Sequence, residues 1–302
     1  MVTVVVIEFG VMRCQPLRRA LSLQEESMRL YHYTDQNGFM GIVGGNELWA
    51  TKIQYLNDNN EYQLAFKIAE KYIDLLLLKT FDVNEILRLK RFKANFGNIS
   101  NLNVCVCSFS TEGDLLSQWR GYSNSLGGYS IGFDSEKLEK VAELARFELK
   151  PCIYDERKQK KLVHSVINQV LDKYKEYQEP YTEESQISLS SDSSNELCRK
   201  LAEISPIIKD ASFKEEGEWR LISKGGLNFE QLDFRAGKSM LTPFYKIKLG
   251  SHHDNLITNV IVGHTPNLEL AINATQAYLY KVIPDICDRP GVGRSQIPFR
   301  SW

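Results

Sequence analysis

The stretch FKEEGEWRLI, residues 213–222, sets three glutamates, a tryptophan and an arginine directly ahead of an aliphatic run. Read as a helix, it pairs Glu216 with Arg220 at i,i+4, an interaction worth a few tenths of a kcal/mol on a solvated face. Read as a strand, its two-residue period puts Glu216, Glu218, Arg220 and Ile222 on one face, and Glu215, Trp219 and Leu221 on the other. Gly217 costs about 1 kcal/mol inside a helix, Trp219 and Ile222 favour strands, and the SKGG that follows ends the segment as a strand ends at a glycine turn. The strand reading is adopted. It leaves two acids and a base on one face, either as the solvated charges of an exposed edge strand or as carboxylates projecting into a cleft, with Arg220 lowering their pKa values.

The flanking sequence supports a mixed fold. LYHYT (30–34) reads as a strand, and NGFMGIVGGNELWAT as a short helix capped by Asp35, a glycine turn and a second strand. Apolar residues at helical spacing in 62–79 and 83–96 predict two consecutive helices. NVCVCSFS and GGYSIGFD read as strands on either side of a short helix, DLLSQWRGYS. Residues 156–176 and 195–209 read as helices, the second disturbed by Pro206, with the serine-rich EPYTEESQISLSSDSSNE between them as a mobile linker. PFYKIKL and NVIVGH return to strand patterns, and a helix from Pro266 to about Thr275 precedes AYLYKVI. The expected architecture is one α+β domain over 28–302 with a helical insertion near 155–211. Residues 1–27 are expected to be a dispensable extension, disordered or not native, since the dense strand pattern begins only at Met28.

Composition excludes several classes. The 302 residues carry 37 basic against 38 acidic side chains, a formal charge of -1 with no global attraction to nucleic acid or anionic membrane. The opening apolar run, interrupted by Glu8, is far too short to span a bilayer, and no membrane association is expected. Six cysteines without CxxC or zinc-like spacing read as reduced, mostly buried thiols of a cytoplasmic protein. No phosphate-binding glycine loop, dinucleotide fingerprint, zinc-protease or serine-hydrolase motif is present, and no resident metal is expected from the histidines.

Several single residues stand out. His32 lies on the strand face opposite Tyr31 and Tyr33, where a core role and a ligand role are both open. Asn57, Asp58 and Glu61 form a polar turn suited to capping the next helix. Trp119 and Tyr122, three apart on a short helix, make an aromatic stripe fit for core packing or for stacking on a planar ring. SQIPFR, near the C-terminus, is too short to interpret alone.

Taken in order, LYHYT, GIVGGNELWATKIQYLNDNNE, CSFS, LLSQWRGYS with GGYSIGFD, EEGEWRLI, VGH and SQIPFR resemble the bacterial family catalogued as domain of unknown function 2971, over about 29–300. The family pattern has a proline where Asn59 stands, and often one where His264 stands. That family is in turn similar to a distant ADP-ribosyltransferase fold, a pair of small, mainly antiparallel sheets around a cleft that holds NAD. The resemblance implies that His32 holds the adenosine ribose, that Tyr122 or Tyr129 stacks on nicotinamide, and that Glu218 is the catalytic acid with Glu216 two residues before it. Tyr33, Trp119 and Arg220 are then expected around the nucleotide.

A carboxylate beside the sugar suits cleavage of the nicotinamide–ribose bond, where oxocarbenium character develops. The implied activity is ADP-ribosyl transfer or NAD glycohydrolysis, with NAD as substrate, a protein or nucleic acid as acceptor, and a toxin or phage-defence role. On this expectation Glu218→Gln abolishes turnover and leaves the fold intact. Two alternatives are carried. One is a non-catalytic nucleotide-binding module whose helical insertion meets a partner protein. The other is a metal-dependent nuclease built on Asp58, Glu61, Glu216 and Glu218.

Overall fold

The computed structural model describes residues 27–56, 59–97, 103–123, 127–175, 183–237, 239–251, 254–283 and 285–298, without the side chains of 59–61 and 183–191. In chain order the elements are β1 (Arg29–Thr34), α1 (Gln36–Gly45), β2 (Glu47–Lys52), α2 (Asn59–Leu77), α3 (Val83–Asn95), β3 (Cys105–Ser110), α4 (Leu116–Tyr122), β4 (Tyr129–Asp134), α5 (Ser135–Leu144), β5 (Phe147–Pro151), α6 (Glu156–Lys175), α7 (Glu183–Ile204), β6 (Glu218–Ser223), β7 (Asp233–Ala236), β8 (Leu241–Lys248), β9 (Ile257–Val262), α8 (Leu268–Val282) and β10 (Gly291–Arg294). Asp35 caps α1 as its sequence suggests, its Oδ1 accepting from the Gly38 amide at 2.8 Å.

The architecture is α+β with an open sheet. Where two small sheets were expected, hydrogen bonding links ten strands into one forked sheet. The main path runs β10-β9-β4-β1-β3-β2-β8-β7, and a branch carries β6 and β5 from β3. All pairs are antiparallel except β10 with β9. The fork follows from how β3 uses one edge twice. Ser110 pairs with Tyr31 of β1, whereas Val106 and Cys105 pair with Thr51 and Lys52 of β2. Between those contacts the imidazole of His32 takes the place of a strand, its Nδ1–H donating to the Ser108 carbonyl at 2.9 Å.

Alternation along the strands sorts residues onto two faces. One face carries Leu30, Ala50, Cys107, Phe109, Ile131, Phe133 and Leu221 into a core closed by Phe39, Ile42 and Val43 of α1, Leu138 and Ala142 of α5, and Leu279 of α8. Burying each large side chain contributes about 1.5–3 kcal/mol. The other face carries Val106 and Ile222 into a second core formed with α2, α3, α6 and α7. The insertion near 155–211 therefore does not stand apart. Its helices pack on α2 and α3 as one layer over the sheet.

Two expectations need correction here. The serine-rich stretch read as a linker is helical from Glu183 onward, in α7, which ends at Ile204 before a 3-10 turn at Ser205–Ile207. Its Ser193 and Ser194 are buried, as are Leu197 and Leu201. Small hydroxylated residues pass for a linker by composition, yet they let α7 lie close against its neighbours. AYLYKV, set apart from the preceding helix, is the continuation of α8. Residues 1–26, Asn57, Asp58, the Glu61 side chain, His252 and His253 lie outside what is described. Among the described residues no helix is long and apolar enough to cross a membrane.

Candidate functional site

The opening stretch divides at Gly217. Ala211–Glu216 is a 3-10 turn, Gly217 is left-handed at φ 49°, and only Glu218–Ser223 is strand. Glu216 therefore leaves the two-residue alternation, while Glu218, Arg220 and Ile222 keep it. Nor is β6 an exposed edge, since it lies between β3 and β5. The solvated-edge reading fails on that point. Glu218 is 5% exposed and Arg220 2%.

What makes this burial tolerable is a compact charge cluster. Arg220 grips Glu218 with two donors, Nε to Oε1 at 2.7 Å and Nη2 to Oε2 at 3.0 Å, and its Nη1 donates to the Pro206 carbonyl at 2.8 Å. The Lys209 ammonium, 4% exposed, donates to Oε2 of both Glu218 and Glu216. Among the described residues the cluster holds two acids and two bases, so their formal charges balance. Burial works against ionising Glu218, but Arg220 first and Lys209 second hold its carboxyl down to about 2.

Lys209 is the residue that sequence reading missed. Nothing in IIKD marks it, because its place depends on a parallel bridge between Ile153 and Ile208 and on Gln159, whose side-chain amide donates to the carbonyls of Ile153 and Lys209. The turn before β6 is tied to β3 as well. Ser110 Oγ donates to the Glu216 carbonyl at 2.6 Å, and the Thr111 amide to that of Gly217 at 3.2 Å.

Of the aromatic candidates, Tyr122 is the one coupled electrostatically to this cluster. It ends α4 and is 43% exposed. Burial of its hydroxyl and then the Glu218 carboxylate push its pKa up to about 12. Tyr154 lies on the opposite flank, its hydroxyl oxygen accepting from the Glu218 amide at 2.9 Å. His32 is near but faces away. Tyr31, Ser110 and Glu218 share one register row across β1, β3 and β6, so the next residue, His32, points to the other face, with its ring 5.6 Å from that of Phe109. Burial lowers the His32 pKa, so the ring is neutral at pH 7 with its proton on Nδ1.

The remaining three candidates pack rather than line an opening. Tyr33 donates to the Glu112 carbonyl at 2.7 Å and accepts from the Leu115 amide at 3.0 Å. Tyr129 stacks on Phe39 with centroids 4.2 Å apart. Trp119, 1% exposed, meets Tyr33 edge-on at 4.9 Å and donates Nε1–H to Asp114 at 2.7 Å. Asp114 also accepts from Ser295 Oγ and from the Gln296 amide, each at 2.6 Å. That gives the SQIPFR motif a part: its first two residues lock the C-terminal segment over α4. As for the proposed metal ligands, Glu216 and Glu218 are engaged by Lys209 and Arg220, and Asp58 and the Glu61 side chain are not described.

Residues 118–221 match the model of a family described as protein of unknown function (DUF2971), which supports placing the chain with that family. The matched stretch runs from α4 into β6 and so contains Tyr122, Lys209, Glu216, Glu218 and Arg220. No curated protein and no solved structure matches the chain.

Proposed function

We propose that this DUF2971-like chain is an NAD-using enzyme, an ADP-ribosyltransferase or NAD glycohydrolase. The observation that carries the reading is the ionised Glu218 carboxylate held in one register row with Ser110 and Tyr31, with Tyr122 electrostatically coupled to it. His32 stands two strand spacings away, about 10 Å, on the opposite face, so a dinucleotide that reaches both has to pass through the gap beside β3 between β1 and β2. Glu218 is ionised at neutral pH and so suits stabilisation of a sugar cation. Neutral His32 has Nε2 left to accept from a ribose hydroxyl, and the Tyr122 ring offers a surface for nicotinamide. Turnover on this reading requires Lys209 to shift from Glu218 to Glu216, which leaves Oε2 of Glu218 with its Arg220 bond and room to face the sugar. A macromolecular acceptor and a role as toxin or phage-defence effector follow from the family resemblance alone.

A second reading, a nucleotide-binding module without turnover, is favoured by one observation: both Glu218 oxygens are held by Arg220 and Lys209. The full chain incubated with labelled NAD, with and without bacterial lysate, separates the two. Nicotinamide release or a labelled acceptor supports the enzyme. Saturable NAD binding with neither product selects the module, and absence of binding removes both. Tyr122→Ala is the companion variant. Its side chain is partly exposed, so turnover is expected to fall well before stability does.

A further inference from the structure

Arg235 of β7 is a half-buried guanidinium without a carboxylate. Its Nη2 donates to Thr51 Oγ1 at 2.9 Å, and among the described residues it forms no ion pair and no other hydrogen bond. The rings of Trp49 and Phe244 each lie 5.7 Å from its Cζ. Register explains the grouping. Trp49 and Thr51 of β2, Phe244 of β8 and Arg235 of β7 alternate onto the same face of the sheet, the face that carries Ser108, Arg220 and Glu218 further along. The acid that acts on Arg235 through space, Asp35, is already engaged as the cap of α1. Burial accordingly lowers the Arg235 pKa rather than an ion pair raising it.

A guanidinium has five N–H donors, and among the described residues Arg235 uses one. The two aromatic rings flank the guanidinium, and the Thr51 hydroxyl, which accepts from Arg235, still has its own proton to donate. The planar donors of a guanidinium beside a hydroxyl match a tetrahedral oxyanion gripped in bidentate fashion. The site borders the fork of the sheet, since Thr51 pairs with Val106, and Arg235 acts electrostatically on both Cys107 and His32.

We infer that Arg235 and Thr51 form a phosphoryl-binding subsite, and that it takes the diphosphate of the dinucleotide. The identity of that ligand rests on the NAD reading; the anion site itself does not.

Titration of the full chain with inorganic pyrophosphate by calorimetry tests the site directly, with acetate as the comparison anion. Pyrophosphate is expected to bind saturably, to weaken as salt rises, and to outcompete acetate. Arg235→Gln is expected to weaken pyrophosphate roughly tenfold to a hundredfold, the range for losing charge-assisted hydrogen bonds. Arg235→Lys keeps the charge without the fork and is expected to fall between, which keeps the test valid if the glutamine variant folds poorly. Equal affinity in wild type and both variants, or no pyrophosphate binding, overturns the subsite. The two proposals fail separately. NAD cleavage with an unchanged KM in Arg235→Gln sinks the assignment of the dinucleotide diphosphate to the subsite, whereas Arg235-dependent pyrophosphate binding without NAD cleavage sinks the enzyme alone.

Discussion

Replacing Glu218 by glutamine preserves shape and removes one charge from a balanced cluster, and its cost follows from the electrostatics of that cluster. Despite burial, Arg220 and Lys209 bring the Glu218 carboxyl from 4.5 down to about 2. At 1.36 kcal/mol per pH unit, that displacement is worth ~3 kcal/mol of folding stability. The same figure sits within the ~3–5 kcal/mol typical of breaking a buried ion pair from one side. Because the folded value lies below the unfolded one, the contribution is complete above about pH 4.5 and drains away as pH falls toward 2. Urea unfolding of wild type and Glu218→Gln at pH 7 and pH 3 reads it directly. The variant is expected to be ~3 kcal/mol less stable at pH 7, with roughly half that gap at pH 3. A difference under about 0.5 kcal/mol at pH 7, or a gap that does not narrow in acid, refutes the account of the cluster. A loss of turnover in Glu218→Gln is therefore to be measured beside its unfolding curve.

Other expectations follow from the same geometry. Gly217→Ala places a side chain at φ 49° with its Cβ 2.2 Å from Thr111 Oγ1, and a loss of ~1–2 kcal/mol in urea unfolding is expected, partly restored by adding Thr111→Ala. Tyr33→Phe removes a hydroxyl that both donates to Glu112 and accepts from Leu115, so a loss of ~1–3 kcal/mol is expected, with chymotryptic cleavage near residue 115 appearing earlier than in wild type. Thiol labelling followed by peptide mapping should find Cys287, which is exposed, modified in the native protein. Cys105 and Cys107, buried and with thiol pKa values pushed up to about 12, should react only once the chain is unfolded.

How far the sequence could be read depended on whether the signal was local. Apolar periodicity marked α2 and α3, and Gly217 with Trp219 and Ile222 marked β6 as a strand, because each pattern is complete within a dozen residues. The helix α5 and the strands β5, β7 and β10 passed unnoticed. SEKLEKVAEL has a short apolar face, and FELKP, DFRA and GVGR are too brief to show alternation. At the site, Glu218 and Arg220 could be paired from spacing alone, while Lys209 and Pro206 reach them through a chain reversal that no local pattern encodes. Arg235 was silent for the same reason: its partner Thr51 stands 184 residues earlier.

The fork at β3 bears on how the sheet yields. The arm formed by β2, β8 and β7 joins β3 through only two residue pairs, whereas β6 joins it through five. Opening that arm breaks few backbone hydrogen bonds, so its amides are placed to exchange with solvent well before those of β3, β6 and β5. Beside that joint the His32 imidazole ties β1 to β3, and such a side-chain tie can be undone without disturbing either strand. A ligand seated there would act as a suture, and its occupancy would be legible as slowed amide exchange along an entire arm rather than at the contacted residues alone.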